Sequence, residues 1–217
     1  MGRKYRFLEK NRDHSVMEPS LLPNFGIYQK SIRQSLYLPL LRECKQAEKK
    51  KPKKISGLTG KGVSPRYYIT HPTNLRLLKK YLQEMKQEYD TSFPSLGETG
   101  TLTKPLNYTW DRPCINIQKK GQLLPVHTRD GVYSYTIWMQ IPYDIKEERT
   151  KEKCAGVLEF HYNSIFGAPM AYSTPLSKKH EGTIIMFPAK LKHCVYPFYL
   201  SSKSRISIVG NLLYDAG

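Results

Sequence analysis

A chain of 217 residues, 39% hydrophobic and 24% charged, suits one globular domain with an appendage, and it holds no run of ~18 apolar residues that could cross a membrane as a helix. Its formal net charge of +17 points towards polyanionic partners, nucleic acid or an acidic protein. The four cysteines (Cys44, Cys114, Cys154, Cys194) include no CxxC pair, which argues against a disulfide framework or a cysteine-based zinc site and for a reducing compartment. The opening residues MGRKYRFLEKNRD carry no apolar leader core, and Arg6 breaks the myristoylation pattern, so a cytoplasmic location is expected.

Charge is uneven along the chain. Residues 1–62 hold fifteen basic and five acidic side chains, and this stretch reads as a basic N-terminal extension. Within it, residues 31–48 turn helical, with Pro39 as a first-turn residue of a helix through LLRECKQAEKK. The lysine-rich stretch 49–62 reads as a loop, because its charges repel and Pro52, Gly57, Gly60 and Gly62 break regular structure. Residues 63–217 form the main domain. The clearest helix lies near 74–89, capped by Thr73 or Asn74 after Pro72. Its apolar stripe is Leu75, Leu78, Leu82, Met85 and Tyr89.

Beyond residue 104 the period shortens to two. Strands are predicted over 107–118, 123–127, 132–141, 156–162, 182–187, 194–198 and 205–213, separated by turn signals such as Asp130–Gly131 and Glu181–Gly182. Short strands at this spacing predict an antiparallel double sheet or barrel.

Two strand-borne histidines stand out. His127 follows LLPV and precedes the turn TRDG, and His193 opens the burst HCVYPF. In RISIVGN, alternation puts Arg205, Ser207, Val209 and Asn211 on one face and Ile206, Ile208 and Leu212 on the other. A guanidinium facing a sheet interior needs an anion, and arginine suits a planar carboxylate. Trp138, Tyr133 and Tyr135 read mainly as sheet packing. His161 reads as a surface or packed residue, His71 as structural, His14 and His180 as solvated, and Glu159 as facing solvent beside core-facing Leu158 and Phe160.

The stretches INIQKKGQLLPVHTRDGVYSYTIWMQIPYD, GVLEFHY, GTIIMFPAKLKHCVYPF and RISIVGN together resemble the iron(II)- and 2-oxoglutarate-dependent oxygenases. The match is nearest to the prolyl-hydroxylase-like oxygenases of tailed phages and cyanophages, and it spans roughly residues 55–213. The resemblance implies an α+β, mainly β fold: a double-stranded β-helix (jelly-roll) core with N-terminal buttressing helices. It implies Fe(II) and 2-oxoglutarate as cofactors, with His127 and His193 as iron ligands. Arg205 then pairs with the distal carboxylate of 2-oxoglutarate, and Ser207 is that arginine's hydroxyl partner. Tyr135 joins the cofactor set, since its hydroxyl can reach a bound carboxylate. The implied activity is a dioxygenase that hydroxylates a protein side chain and releases succinate and CO2; the basic charge leaves a nucleobase open as substrate.

One position departs from the family pattern. The carboxylate two residues after the first histidine is replaced by Arg129, a cation that cannot ligate iron. Asp130, one residue on, is the expected third ligand if a bulge at Asp130–Gly131 turns it round. The alternatives are a two-histidine site completed by solvent or another ligand, and a non-catalytic β-helix that binds nucleic acid or an acidic partner through its basic surface.

Overall fold

The computed structural model describes residues 20–22, 25–50, 66–93, 107–164 and 166–215. The strands are β1 (Ser20–Leu22), β2 (Phe25–Ser31), β3 (Arg66–Tyr68), β4 (Asn107–Trp110), β5 (Cys114–Gln118), β6 (Leu124–His127), β7 (Tyr133–Gln140), β8 (Val157–Asn163), β9 (Pro169–Pro175), β10 (Thr183–Pro188), β11 (Lys192–Val195) and β12 (Arg205–Asp215). The helices are α1 (Gln34–Lys49), α2 (Pro72–Ser92) and α3 (Ile145–Lys151). No described helix is long and apolar enough to cross a membrane. The lysine-rich stretch 49–62 lies almost wholly outside the described residues.

Two antiparallel sheets face each other. The larger runs β1-β2-β10-β7-β12-β5-β3, with β4 also on β12, and the smaller runs β6-β11-β8-β9. This is the jelly-roll, mainly β architecture expected from the sequence. The larger sheet is buried on both sides, which explains the continuous burial of β7 from Tyr133 to Met139. Its outer face packs Tyr133, Tyr135, Ile137, Ile184, Met186, Ile206 and Ile208 under Leu36, Leu40, Leu78, Leu82 and Met85 of α1 and α2. Its inner face sets Ile27, Trp138, Ile185 and Phe187 against Leu158, Phe160 and Val195 of the smaller sheet.

Several elements differ from the sequence reading. Residues 25–49, assigned above to the extension, supply β2, which pairs with β10, and α1, which covers the outer face. Pro39 lies inside α1 rather than opening it. The turn before it is held by the Arg33 carbonyl, which accepts from Leu36 and Tyr37, and by burial of Leu36. In α2, Pro72 is the first helical residue and neither Thr73 nor Asn74 caps it; the backbone N–H groups of Thr70 and His71 and the Asn74 amide donate instead to Glu43 of α1. His180 is buried, not solvated. Its Nδ1 accepts from the Ser177 N–H, and burial lowers its pKa.

Candidate metal and cofactor site

β6 and β11 place His127 and His193 directly opposite each other as Cα partners. Directly opposed residues of an antiparallel pair project from the same face. Their ring centroids are 4.3 Å apart. Two imidazoles sharing one metal at bonds of about 2.1 Å and a right angle would have centroids about 4.6 Å apart, so the pair needs little adjustment to bind one.

The rings are also set in the right tautomer. Nδ1 of His127 lies 2.8 Å from the Pro125 carbonyl, and Nδ1 of His193 lies 2.9 Å from the Leu191 carbonyl. A carbonyl only accepts, so each Nδ1 carries the proton and the lone pair sits on Nε2, as metal ligation requires. Burial pushes the His193 pKa down to about 3, helped by the nearby charges of His127, Arg129 and His161. The ring is therefore neutral at physiological pH. Phe187 and Phe160 pack against it at centroid distances of 4.9 and 6.0 Å.

The carboxylate is where the expected triad breaks. Asp130 does not turn towards the histidines. Its side chain is 99% exposed and forms an ion pair with Lys190 at 3.7 Å. Gly131, at φ +96° with a Cβ position only 2.5 Å from the Leu212 carbonyl, commits the turn to a path that carries Asp130 outward. Arg129 holds its backbone N–H on the Ala189 carbonyl at 2.9 Å and lines the same cavity as His127. Its charge acts on both His193 and Asp111. Among the described residues, no carboxylate or thiol ligand atom completes a three-ligand group with the two histidines. The residues present thus fit two ligands of an iron centre and not the usual third.

Arg205 is buried at 1% exposure on the inner face of β12, as the alternation predicted. Its Nε and Nη2 donate to Gln118 Oε1 at 3.2 and 2.7 Å, Nη1 donates to the Tyr143 hydroxyl at 2.7 Å, and Nη2 also donates to the Tyr196 carbonyl at 2.8 Å. Gln118 is the Cα partner of Arg205 across the β5–β12 ladder. The Phe198 ring lies 5.4 Å from the guanidinium and stacks on Tyr143 at 5.0 Å. Glu148 of α3, fully buried, accepts from the N–H groups of Tyr199 and Leu200 and so pins the loop that carries Tyr196 and Phe198. No described carboxylate forms an ion pair with Arg205. An inward cation held only by neutral groups is suited to an anion.

A cavity of about 550 Å³ is lined by Asn116, Leu124, His127, Arg129, Asn211 and Gln118, the partner of Arg205, among others. Ser207 is buried on the same strand face as Arg205. Tyr135 is not. It belongs to the helix-covered outer layer, and its buried hydroxyl fills the space that a Cβ on Gly210 would take. Strand parity is the reason: Ser134 and Trp138 take the inward positions of β7. Sequence reasoning missed Gln118, Tyr143 and Tyr196. It also missed the chain in which Ser134 donates to Asn211, whose amide and backbone N–H donate to Asp111, each at 2.7 Å. Only the pairing register, which no local pattern shows, brings them together.

No family model matches the sequence, and no curated protein matches it at the sequence level. Solved structures do match. A prolyl-4-hydroxylase from Pseudomonas putida superposes with a TM-score of 0.56 at 14% identity, over 88% of this chain and 94% of that one. A prolyl hydroxylase from Trichoplax adhaerens, solved with a peptide of the hypoxia-inducible factor oxygen degradation domain, gives 0.54 at 14% identity, over 88% and 82%. The viral collagen prolyl hydroxylase of Paramecium bursaria Chlorella virus-1, solved with 2-oxoglutarate, gives 0.52 at 12% identity, over 88% and 96%. The fold of this chain is that of the prolyl hydroxylases among the 2-oxoglutarate–iron oxygenases.

Proposed function

We propose that this protein is an Fe(II)- and 2-oxoglutarate-dependent dioxygenase that hydroxylates a protein side chain. The observation that carries the proposal is the cross-strand pair His127 and His193, with both Nδ1 protons fixed and both Nε2 lone pairs presented from one face. Fe(II) with 2-oxoglutarate supplies the activation of dioxygen, with succinate and CO2 as co-products. The two histidines hold the metal, and Phe160 and Phe187 keep water from the His193 ring. Arg205, with Ser207 beside it on the inner face, holds the distal carboxylate of the keto acid once Gln118 yields the Nε–Nη2 edge. Because Asp130 faces solvent, the proposal takes the two-histidine form of the site, with a non-protein ligand in the third position. A protein substrate is supported by the peptide bound to the Trichoplax enzyme.

A second reading has its own observation. Arg129 beside the histidines, with Asp130 turned away, favours a β-helix that binds nucleic acid or an acidic partner without redox chemistry. Anaerobic Fe(II) titration with and without 2-oxoglutarate separates the two. The visible charge-transfer band of the ternary complex is expected for the oxygenase; absence of metal uptake sinks it and leaves the binding module.

A further inference from the structure

The outer face of the smaller sheet carries a second group of ligands that the oxygenase chemistry does not use. Glu159 and His161 are two apart on β8 and share a face, and Cys194 of β11 is the Cα partner of Glu159. Cys194 is adjacent in sequence to His193, so strand alternation sends the two side chains to opposite faces. The Glu159, His161 and Cys194 ligand atoms all lie within 4.8 Å of one another. His161 Nε2 is 3.4 Å from Glu159 Oε1 and 3.5 Å from Cys194 Sγ.

An N–H···O hydrogen bond is centred near about 2.9 Å, so 3.4 Å is long for a simple histidine–glutamate bond. In a tetrahedral site with metal–N and metal–O bonds of about 2.1 Å and a metal–S bond of about 2.3 Å, neighbouring ligand atoms lie about 3.4 Å (N and O) and about 3.6 Å (N and S) apart. The N–O and N–S separations of 3.4 and 3.5 Å match that geometry, and the oxygen and sulfur lie within 4.8 Å of each other. A nucleophile relay is a poor fit, because it runs through both ring nitrogens, thiol to one and carboxylate to the other. Here both partners meet the same Nε2, so the three converge on a point.

Surrounding groups support convergence. The Ser173 hydroxyl donates to Glu159 Oε2 at 2.7 Å and the Tyr196 hydroxyl to Oε1 at 3.2 Å, which orients the carboxylate as outer partners of metal ligands do. Cys194 is buried at 2%, whereas the side chains of His161 and Glu159 are 30% and 12% exposed, so a fourth position opens to solvent.

We propose that Glu159, His161 and Cys194 form a second metal site, distinct from the histidine pair, that takes a borderline divalent ion of the zinc type with water as fourth ligand. A mixed oxygen, nitrogen and thiolate set selects such an ion over magnesium or calcium. On binding, the thiol proton passes to solvent and the ion ties β8 to β11 directly behind His193.

Cobalt(II) is the probe, because only a thiolate ligand gives it an intense near-ultraviolet charge-transfer band. The titration uses the full chain carrying His127→Ala and His193→Ala, so that the outcome does not depend on the oxygenase reading. The expected result is a saturable thiolate-to-cobalt band that zinc abolishes by displacement. Cys194→Ser and, independently, the part-exposed His161→Gln should each remove it. Absence of the band in the parent protein, or its survival in either variant that folds, overturns the assignment.

Discussion

Replacing Gln118 with glutamate puts a carboxylate on the guanidinium edge that a keto acid would need. In the present structure Gln118 Oε1 lies 2.7 Å from Arg205 Nη2 and 3.2 Å from Nε. With charge centres about 4 Å apart and an effective dielectric near 20, the new attraction is about 4 kcal/mol. Burying that carboxylate at a position 5% exposed offsets most of this gain, so the stability of the fold should change by less than about 2 kcal/mol. The cofactor has no such offset. It must displace a charged competitor from Arg205, and its affinity should fall by up to about 4 kcal/mol, or about 1000-fold. Titration calorimetry of 2-oxoglutarate into Mn(II)-loaded protein measures this directly. Gln118→Ala, which opens the edge, should bind as well as wild type or better. If Gln118→Glu binds 2-oxoglutarate as tightly as wild type, the dicarboxylate does not reach Arg205 and its assignment fails.

The fate of the missing carboxylate is open to two substitutions: Asp130→Ala should leave Fe(II) affinity unchanged, since its side chain is 99% exposed, whereas Arg129→Asp should raise it by replacing a cation with a ligand of the family type. A fall in iron affinity for Asp130→Ala would mean that the turn rearranges on metal binding. Stability should depend on pH through His193. Its folded pKa of about 3 lies below the ordinary value of 6.5, so the unfolded chain binds the extra proton between those values. The contribution is complete above pH 6.5 and is lost as pH falls towards 3; urea midpoints across that range should flatten in His193→Gln. Gly131→Ala forces a side chain into φ +96° and within 2.5 Å of the Leu212 carbonyl, and should destabilise by about 1–3 kcal/mol in chemical denaturation.

What the sequence displayed and what it hid follow one physical division. Period-two alternation along a single strand is a local signal, so the inward face of Arg205 and Ser207 and the apolar outer face of Ile206 and Ile208 were legible from residues 205–213 alone. The two histidines were legible as candidates, because each stands at the edge of an apolar burst, but their opposition across β6 and β11 is a matter of register. Tyr135 was misplaced because β7 is buried on both faces, which erases the alternation that would have shown which side it faces. Asp130 was misplaced because a turn glycine permits several exits, and only the close approach of the Leu212 backbone selects the outward one. Strand β9 was missed for a related reason. Its residues 169–175 lie at the edge of the smaller sheet and are mostly exposed or half-buried, so they carry no apolar stripe.

X-ray absorption at the iron edge, on anaerobic Fe(II)-loaded protein carrying Cys194→Ser to remove the thiolate of the outer site, addresses the histidine pair most directly. The account expects scattering from two imidazoles with light oxygen ligands and no sulfur, reduced by one imidazole in His193→Ala or His127→Ala. Iron that binds with a sulfur neighbour, or that keeps both imidazoles in those variants, would place the metal elsewhere and contradict the assignment of His127 and His193 as the centre of this protein's chemistry.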